Sequence, residues 1–96
     1  MFSNDARWDR HTPEQTRDEE QIDVGVIFRH GKMTPKSFIW RRHKYQIKEV
    51  TYHWTENRGG EVLYFFSVTD GVNLYQIYLN NKHMCWRLKR TCPIEE

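Results

Sequence analysis

The sequence predicts an all-β domain: a six-stranded antiparallel meander that curls toward a small open barrel, behind an acidic and mostly disordered N-terminal tail. Three observations carry this. From Ile22 onward apolar and polar residues alternate at the period of a half-buried strand. Turn-forming pairs, Gly59-Gly60, Asp70-Gly71 and Asn80-Asn81, recur about every ten residues, the spacing of an all-β chain. Aromatic residues make up 15% of the 96 positions, enough bulky surface to build a core in so short a chain. There is no βαβ pattern and no internal repeat.

Residues 1–21 form the tail, with three bases (Arg7, Arg10, Arg17) against six acids (Asp5, Asp9, Glu14, Asp18, Glu19, Glu20). Thr12, Pro13 and Gln15 make a capping box, so a short helix over 13–21 is the most this segment can form. The run PEQTRDEEQ lacks an apolar stripe to hold such a helix on a core. No apolar run approaches the ~20 residues of a membrane span, and the N-terminus has no apolar signal core. A cytoplasmic protein without a membrane partner is expected.

The β-domain is expected over residues 22–92. Ile22, Val24, Val26 and Phe28 alternate to give a first strand over 22–29, and His30 to Pro35 punctuate a loop. The densest aromatic stretch follows, PKSFIWRRHKYQIKEVTYHW from Pro35 to Trp54. It reads as a strand over 37–41, a turn at Arg42-His43 and a long strand over 44–55. That register sets Trp40 against Tyr45 and Phe38 against Ile47. Tyr45 and Ile47 point inward on odd numbers, whereas Val50, Tyr52 and Trp54 need even ones. One extra residue near Lys48-Glu49, a β-bulge, restores the pattern and bends the strand sharply. An odd-length glycine loop then pairs Trp54 with Tyr64. Strands over 62–69, 72–79 and 83–89 follow, with Phe66 opposite Tyr75 across Asp70-Gly71 and Ile77 opposite Met84 across Asn80-Asn81. Lys89, Arg90 and Pro93 close the sheet, and residues 93–96 are a short tail. All four hairpins agree on one inward face.

The pattern Pro35-x-x-Phe38-x-Trp40-Arg41-x-x-x-Tyr45-x-Ile47, followed by Trp54 and a terminal meander, covers roughly residues 24–90. It resembles a family of small, uncharacterised bacterial β-domains found with error-prone, Y-family DNA polymerases. The resemblance implies a link to DNA metabolism and carries over no catalytic or binding residue. The chain departs from the family at the first turn, where Arg42-His43 stands in place of an expected glycine, and it adds the acidic tail.

Charge gives the first candidate site. Residues 22–92 hold twelve bases against five acids, and Val24 to Lys48 holds seven bases and no acid. Arg41, Arg42 and Lys44 at the first hairpin, with Arg29, Lys32, Lys36 and Lys48 on the same edge, suit phosphate contacts on DNA or RNA. The same charges suit a solvated turn that protects strand edges. A second candidate is the outward face of the later strands, where Leu63 pairs with Tyr78, Phe65 with Gln76 and Ser67 with Leu74. Exposed together, Leu63, Phe65, Leu74 and Tyr78 would take a protein partner or a second copy of the chain, or be covered when the barrel closes.

Catalysis finds little support. The five histidines show no metal spacing, and Cys85 and Cys92 are too few for a disulfide framework and roughly 23 Å apart if extended. His53, Glu56 and Arg58 are the nearest approach to a base, acid and cation set, without a spacing that singles them out. No nucleotide-binding or nucleophile motif is present. A non-enzymatic protein with no cofactor and no metal is expected.

Overall fold

The computed structural model describes residues 19–94. The expectations of a disordered tail and of a helix starting at residue 13 lie outside the described residues up to residue 18. Seven strands follow: β1 (Glu20–Arg29), β2 (Lys32–Trp40), β3 (His43–Gln46), β4 (Glu49–Arg58), β5 (Glu61–Thr69), β6 (Asn73–Asn80) and β7 (Cys85–Pro93). They form one antiparallel sheet in the order β3-β2-β1-β7-β6-β5-β4. No helix among the described residues is long and apolar enough to cross a membrane.

The seventh strand comes from breaking the predicted third one. β3 pairs with β2, β4 pairs with β5, and the chain passes between the two sheet edges at Ile47-Lys48. There the Ile47 amide donates to the Lys36 carbonyl (2.9 Å) and the Lys48 amide to the Thr69 carbonyl (2.8 Å). Two adjacent residues thus serve opposite edges of the sheet. With β1 paired to β7, the sheet closes into a half-barrel. The expected bend therefore lies at Ile47-Lys48, one residue before the predicted position.

Turn chemistry explains where the registers differ from expectation. The β2–β3 turn is Arg41-Arg42, with φ of 54° and 70°, so Phe38 faces Tyr45 and Trp40 faces His43. The β5–β6 loop is longer than a two-residue turn, so Val68 faces Tyr75 and Phe66 faces Ile77. Residues 81–84 turn between β6 and β7, setting Leu79 against Trp86 and Ile77 against Leu88. Each of these shifts is even in register and keeps the inward face. The β4–β5 hairpin is the exception. Gly59-Gly60 form a two-residue turn at φ 54° and 86°, the twist that suits a hairpin, and a bulge at Thr51 absorbs the odd residue. Trp54 consequently pairs with Phe65 and faces out, as does Tyr52, where both were expected to face in.

Two boundaries also move. β1 begins at Glu20, so Glu20 and Gln21 belong to the sheet opposite Leu88 and Arg87. β2 runs through Pro35, which was expected in a loop; only His30-Gly31 turn there. Proline fits because the pairing with β1 slips at Gly25/Val26, leaving Lys36 as the extra residue, and because β3 covers only Ser37 to Trp40. β7 continues past Leu88 to Pro93 through a slip in its pairing with β6.

Inside the curl lie Ile22, Phe38, Phe66, Val68, Tyr75, Ile77 and Leu88, with Trp40, Tyr45 and Ile47 packed against them. Phe38 stacks on Tyr45 (centroids 5.1 Å) and meets Tyr75 edge-on (4.9 Å). Tyr75 in turn donates to Asp70 Oδ2 (2.9 Å), while Asp70 Oδ1 accepts the Val72 and Asn73 amides (2.9 and 2.8 Å). Burial alone would raise the Asp70 pKa, but the two amides and the Tyr75 hydroxyl hold it below the ordinary 3.8. A depressed folded-state value adds stability above the unfolded pKa that is lost as pH falls through the folded one. Thermal melts should therefore show wild type ahead of Asp70→Asn near neutral pH, with the gap closing below pH 3.8. A gap constant with pH contradicts this role.

Candidate nucleic-acid interface

The candidate cations divide into two groups. Arg29 and Lys32 face each other across the His30-Gly31 turn. Arg41 and Arg42 lie at the far end of β2, roughly 26 Å away at the rise of an extended strand. The single basic edge expected from the sequence is thus corrected to a hairpin group and a remote pair. Lys36, Arg41, Arg42, Lys44 and Lys48 form the hairpin group. Lys44 lies opposite Ile39 on β3. Lys36 bulges from β2 where its carbonyl holds Ile47, and the Lys48 side chain lies against Gly71 of the β5–β6 loop.

Exposure and pairing separate these cations further. Arg42, Lys44, Lys36 and Lys48 are exposed, and none makes a side-chain hydrogen bond or ion pair within the described residues. Arg41 is engaged. Its Nη2 and Nε donate to the two carboxylate oxygens of Glu20 (2.5 and 3.2 Å), and its guanidinium lies over the Trp40 ring (4.8 Å). The Trp40 indole donates to the same carboxylate (2.8 Å). The hydrogen bond from Arg41 is the main cause holding the Glu20 carboxyl below its usual range.

The turn carrying these arginines is strained. Both Arg41 and Arg42 sit in the left-handed region, where glycine or asparagine is the easy choice and an L side chain costs roughly 1–2 kcal/mol. Arg42→Gly should raise stability by ~1 kcal/mol in chemical denaturation while removing one exposed cation. A destabilised variant would show that the arginine side chain, not the backbone, supports the turn.

The expected apolar patch is not exposed. Leu63, Phe65, Leu74 and Tyr78 are 3%, 0%, 3% and 6% accessible, because both faces of β5 and β6 are buried. Trp54 stacks on Phe65 at 5.0 Å, and Tyr78 packs at 4.8 Å on the same ring. The outward flip of Trp54 is what brings it to that position. The Tyr78 hydroxyl donates to Glu19 (2.5 Å), and its pKa is pushed up to about 12, by burial first and then by that carboxylate.

A second set of cations surrounds this cluster and was not singled out from the sequence. Lys89 Nζ lies 5.4 Å and the Arg58 guanidinium 5.8 Å from the Phe65 ring centroid, and Arg87 donates to the Glu19 carbonyl (3.1 Å). Burial, then Arg58 and Arg90, lower the Lys89 pKa. Only the flipped Trp54 and the slip near Lys89 bring these groups together, and neither is visible in the alternation.

The suggested catalytic trio does not assemble. Glu56 and Arg58 pair on the outer face (3.1 Å), while His53 pairs with Phe66 on the inner one. His83 lies in the β6–β7 turn, 3.6 Å from Glu61. Cys85 and Cys92 lie at opposite ends of β7. Among the described residues no three His, Cys, Asp or Glu side chains are placed to hold a metal ion. Comparison with protein-family models, with curated proteins and with solved structures finds no match for this chain.

Proposed function

We propose that this chain is a non-catalytic accessory β-domain that binds nucleic acid through phosphate contacts from the β2–β3 hairpin and the bend that follows it. The observation that carries the reading is the state of four cations. Lys36, Arg42, Lys44 and Lys48 are exposed and unpaired within the described residues, in a stretch from Val24 to Lys48 that holds no acid. A surface that only balanced charge would interleave acids among them. The strained Arg41-Arg42 turn supports the same reading, since strain at an exposed turn is retained where the side chains serve a purpose. The resemblance to domains found with Y-family DNA polymerases supports a role in DNA metabolism, and the cytoplasm is the compartment proposed for it. A protein-interaction role through Leu63, Phe65, Leu74 and Tyr78 loses its motive with their burial.

Fluorescence titration of labelled DNA and RNA oligomers tests the proposal. Four phosphate contacts imply that log K falls with log salt at a slope of about −2.8 on single strands and −3.6 on duplex. Sequence preference should be slight, because phosphate contacts carry no base information. Absence of binding to every oligomer at ~50 mM salt, where such contacts are strong, overturns it.

A further inference from the structure

The geometry points to the Trp40 indole and the Arg41 guanidinium as an oxyanion receptor for a nucleic-acid phosphodiester, held closed in the free protein by Glu20. This rests on the nucleic-acid reading above and adds a site and a regulating contact to it. Three N–H donors from two adjacent residues converge on one carboxylate at 2.8, 3.2 and 2.5 Å. A carboxylate and a phosphodiester offer such a fork the same thing, two charged oxygens on one atom. Glu20 therefore occupies Arg41 as a phosphate would.

Two further observations favour exchange over a permanent clamp. The pair is open to water, with the Arg41 and Glu20 side chains 65% and 35% accessible, so the contact is weak and a competing anion can reach it. The surroundings also prefer the phosphate. Arg42 follows Arg41 in the same turn and Lys44 lies in the next strand opposite Ile39, neither with a partner of its own within the described residues, and one carboxylate neutralises only Arg41. A nucleic-acid strand on Arg42 and Lys44 brings its next phosphate to Arg41 and releases Glu20.

The test is a double-mutant cycle read by the same oligomer titrations on the full chain. Glu20→Ala, and Glu20→Gln as a milder variant that keeps a hydrogen-bond acceptor, should tighten binding by ~3–10-fold and steepen the salt slope by about 0.7 to 0.9, one added phosphate. Arg41→Ala should change little in wild type and abolish the gain in the Glu20→Ala background. Asp23→Asn removes one charge from the same strand without touching the receptor, and should give a smaller gain and no dependence on Arg41. Wild-type binding that neither Glu20 variant alters overturns the closed-receptor proposal alone, as does an equal gain from Asp23→Asn. A Glu20→Ala protein that captures an acidic peptide in preference to DNA overturns it in favour of a protein ligand. Failure of every protein to bind any oligomer overturns the nucleic-acid reading itself.

Discussion

Phe38→Ala is expected to destabilise the domain by ~3–5 kcal/mol, a large share of the 5–15 kcal/mol that holds a typical domain together. Phe38 is 1% accessible, and its ring touches Tyr45 on one side and Tyr75 on the other. Those neighbours belong to β3 and β6, on opposite walls of the half-barrel, so the cavity cannot close by moving one strand. Tyr75 is further fixed by its hydroxyl on Asp70 (2.9 Å) and cannot follow the lost ring. Phe28→Ala is the control: with 70% of its surface already in water, it should cost less than ~0.5 kcal/mol. Urea titrations followed by tryptophan fluorescence will measure both. Equal midpoints for the two variants would mean that the inward face is misassigned.

The second large effect concerns binding. Arg42→Glu combined with Lys44→Glu should weaken nucleic-acid affinity by ~30-fold, about 2 kcal/mol for two exposed charge-assisted contacts. The salt slope should flatten by about 1.4 on single strands as two phosphate contacts disappear. Stability should stay within ~0.5 kcal/mol of wild type, because both side chains are exposed and like charges at the turn are relieved. Arg29→Glu with Lys32→Glu, the pair at the far end of β2, should have the smaller effect. The reverse ranking would move the interface to the His30-Gly31 turn.

How much of this was legible beforehand follows from the period of a strand. Apolar alternation assigns residues to faces, and any even error in register preserves the assignment. Phe38, Phe66 and Ile77 were therefore placed inward despite partners that were wrong by two or four residues. Odd errors are different. Trp54 went to the wrong face because a two-residue glycine turn and a bulge at Thr51 together insert one residue that no hydrophobic pattern marks. The same event hid the aromatic and cationic cluster around Phe65. The bend at Ile47-Lys48 was legible, since there the alternation itself slips; its consequence, two strands that serve opposite sheet edges, requires the curled topology. Among the candidate cations, the acid-free run was visible in the chain. That Glu20 would hold Arg41 was not, because Glu20 lies in β1 and Arg41 in the β2–β3 turn, and they meet only when the hairpin folds over the start of β1.

The most direct measurement of the central claim is a ¹⁵N-resolved NMR titration of the full chain with a short single-stranded DNA. The amides of Lys36, Arg42, His43, Lys44 and Lys48 should shift together and saturably at low salt, with a smaller response at Glu20 and Arg41 as that pair exchanges. Amides of β5 and β6 should stay in place, and added salt should return the hairpin signals to their free positions. Shifts confined to β5–β7, or no shift at any amide at ~50 mM salt, would contradict a nucleic-acid interface on the β2–β3 hairpin.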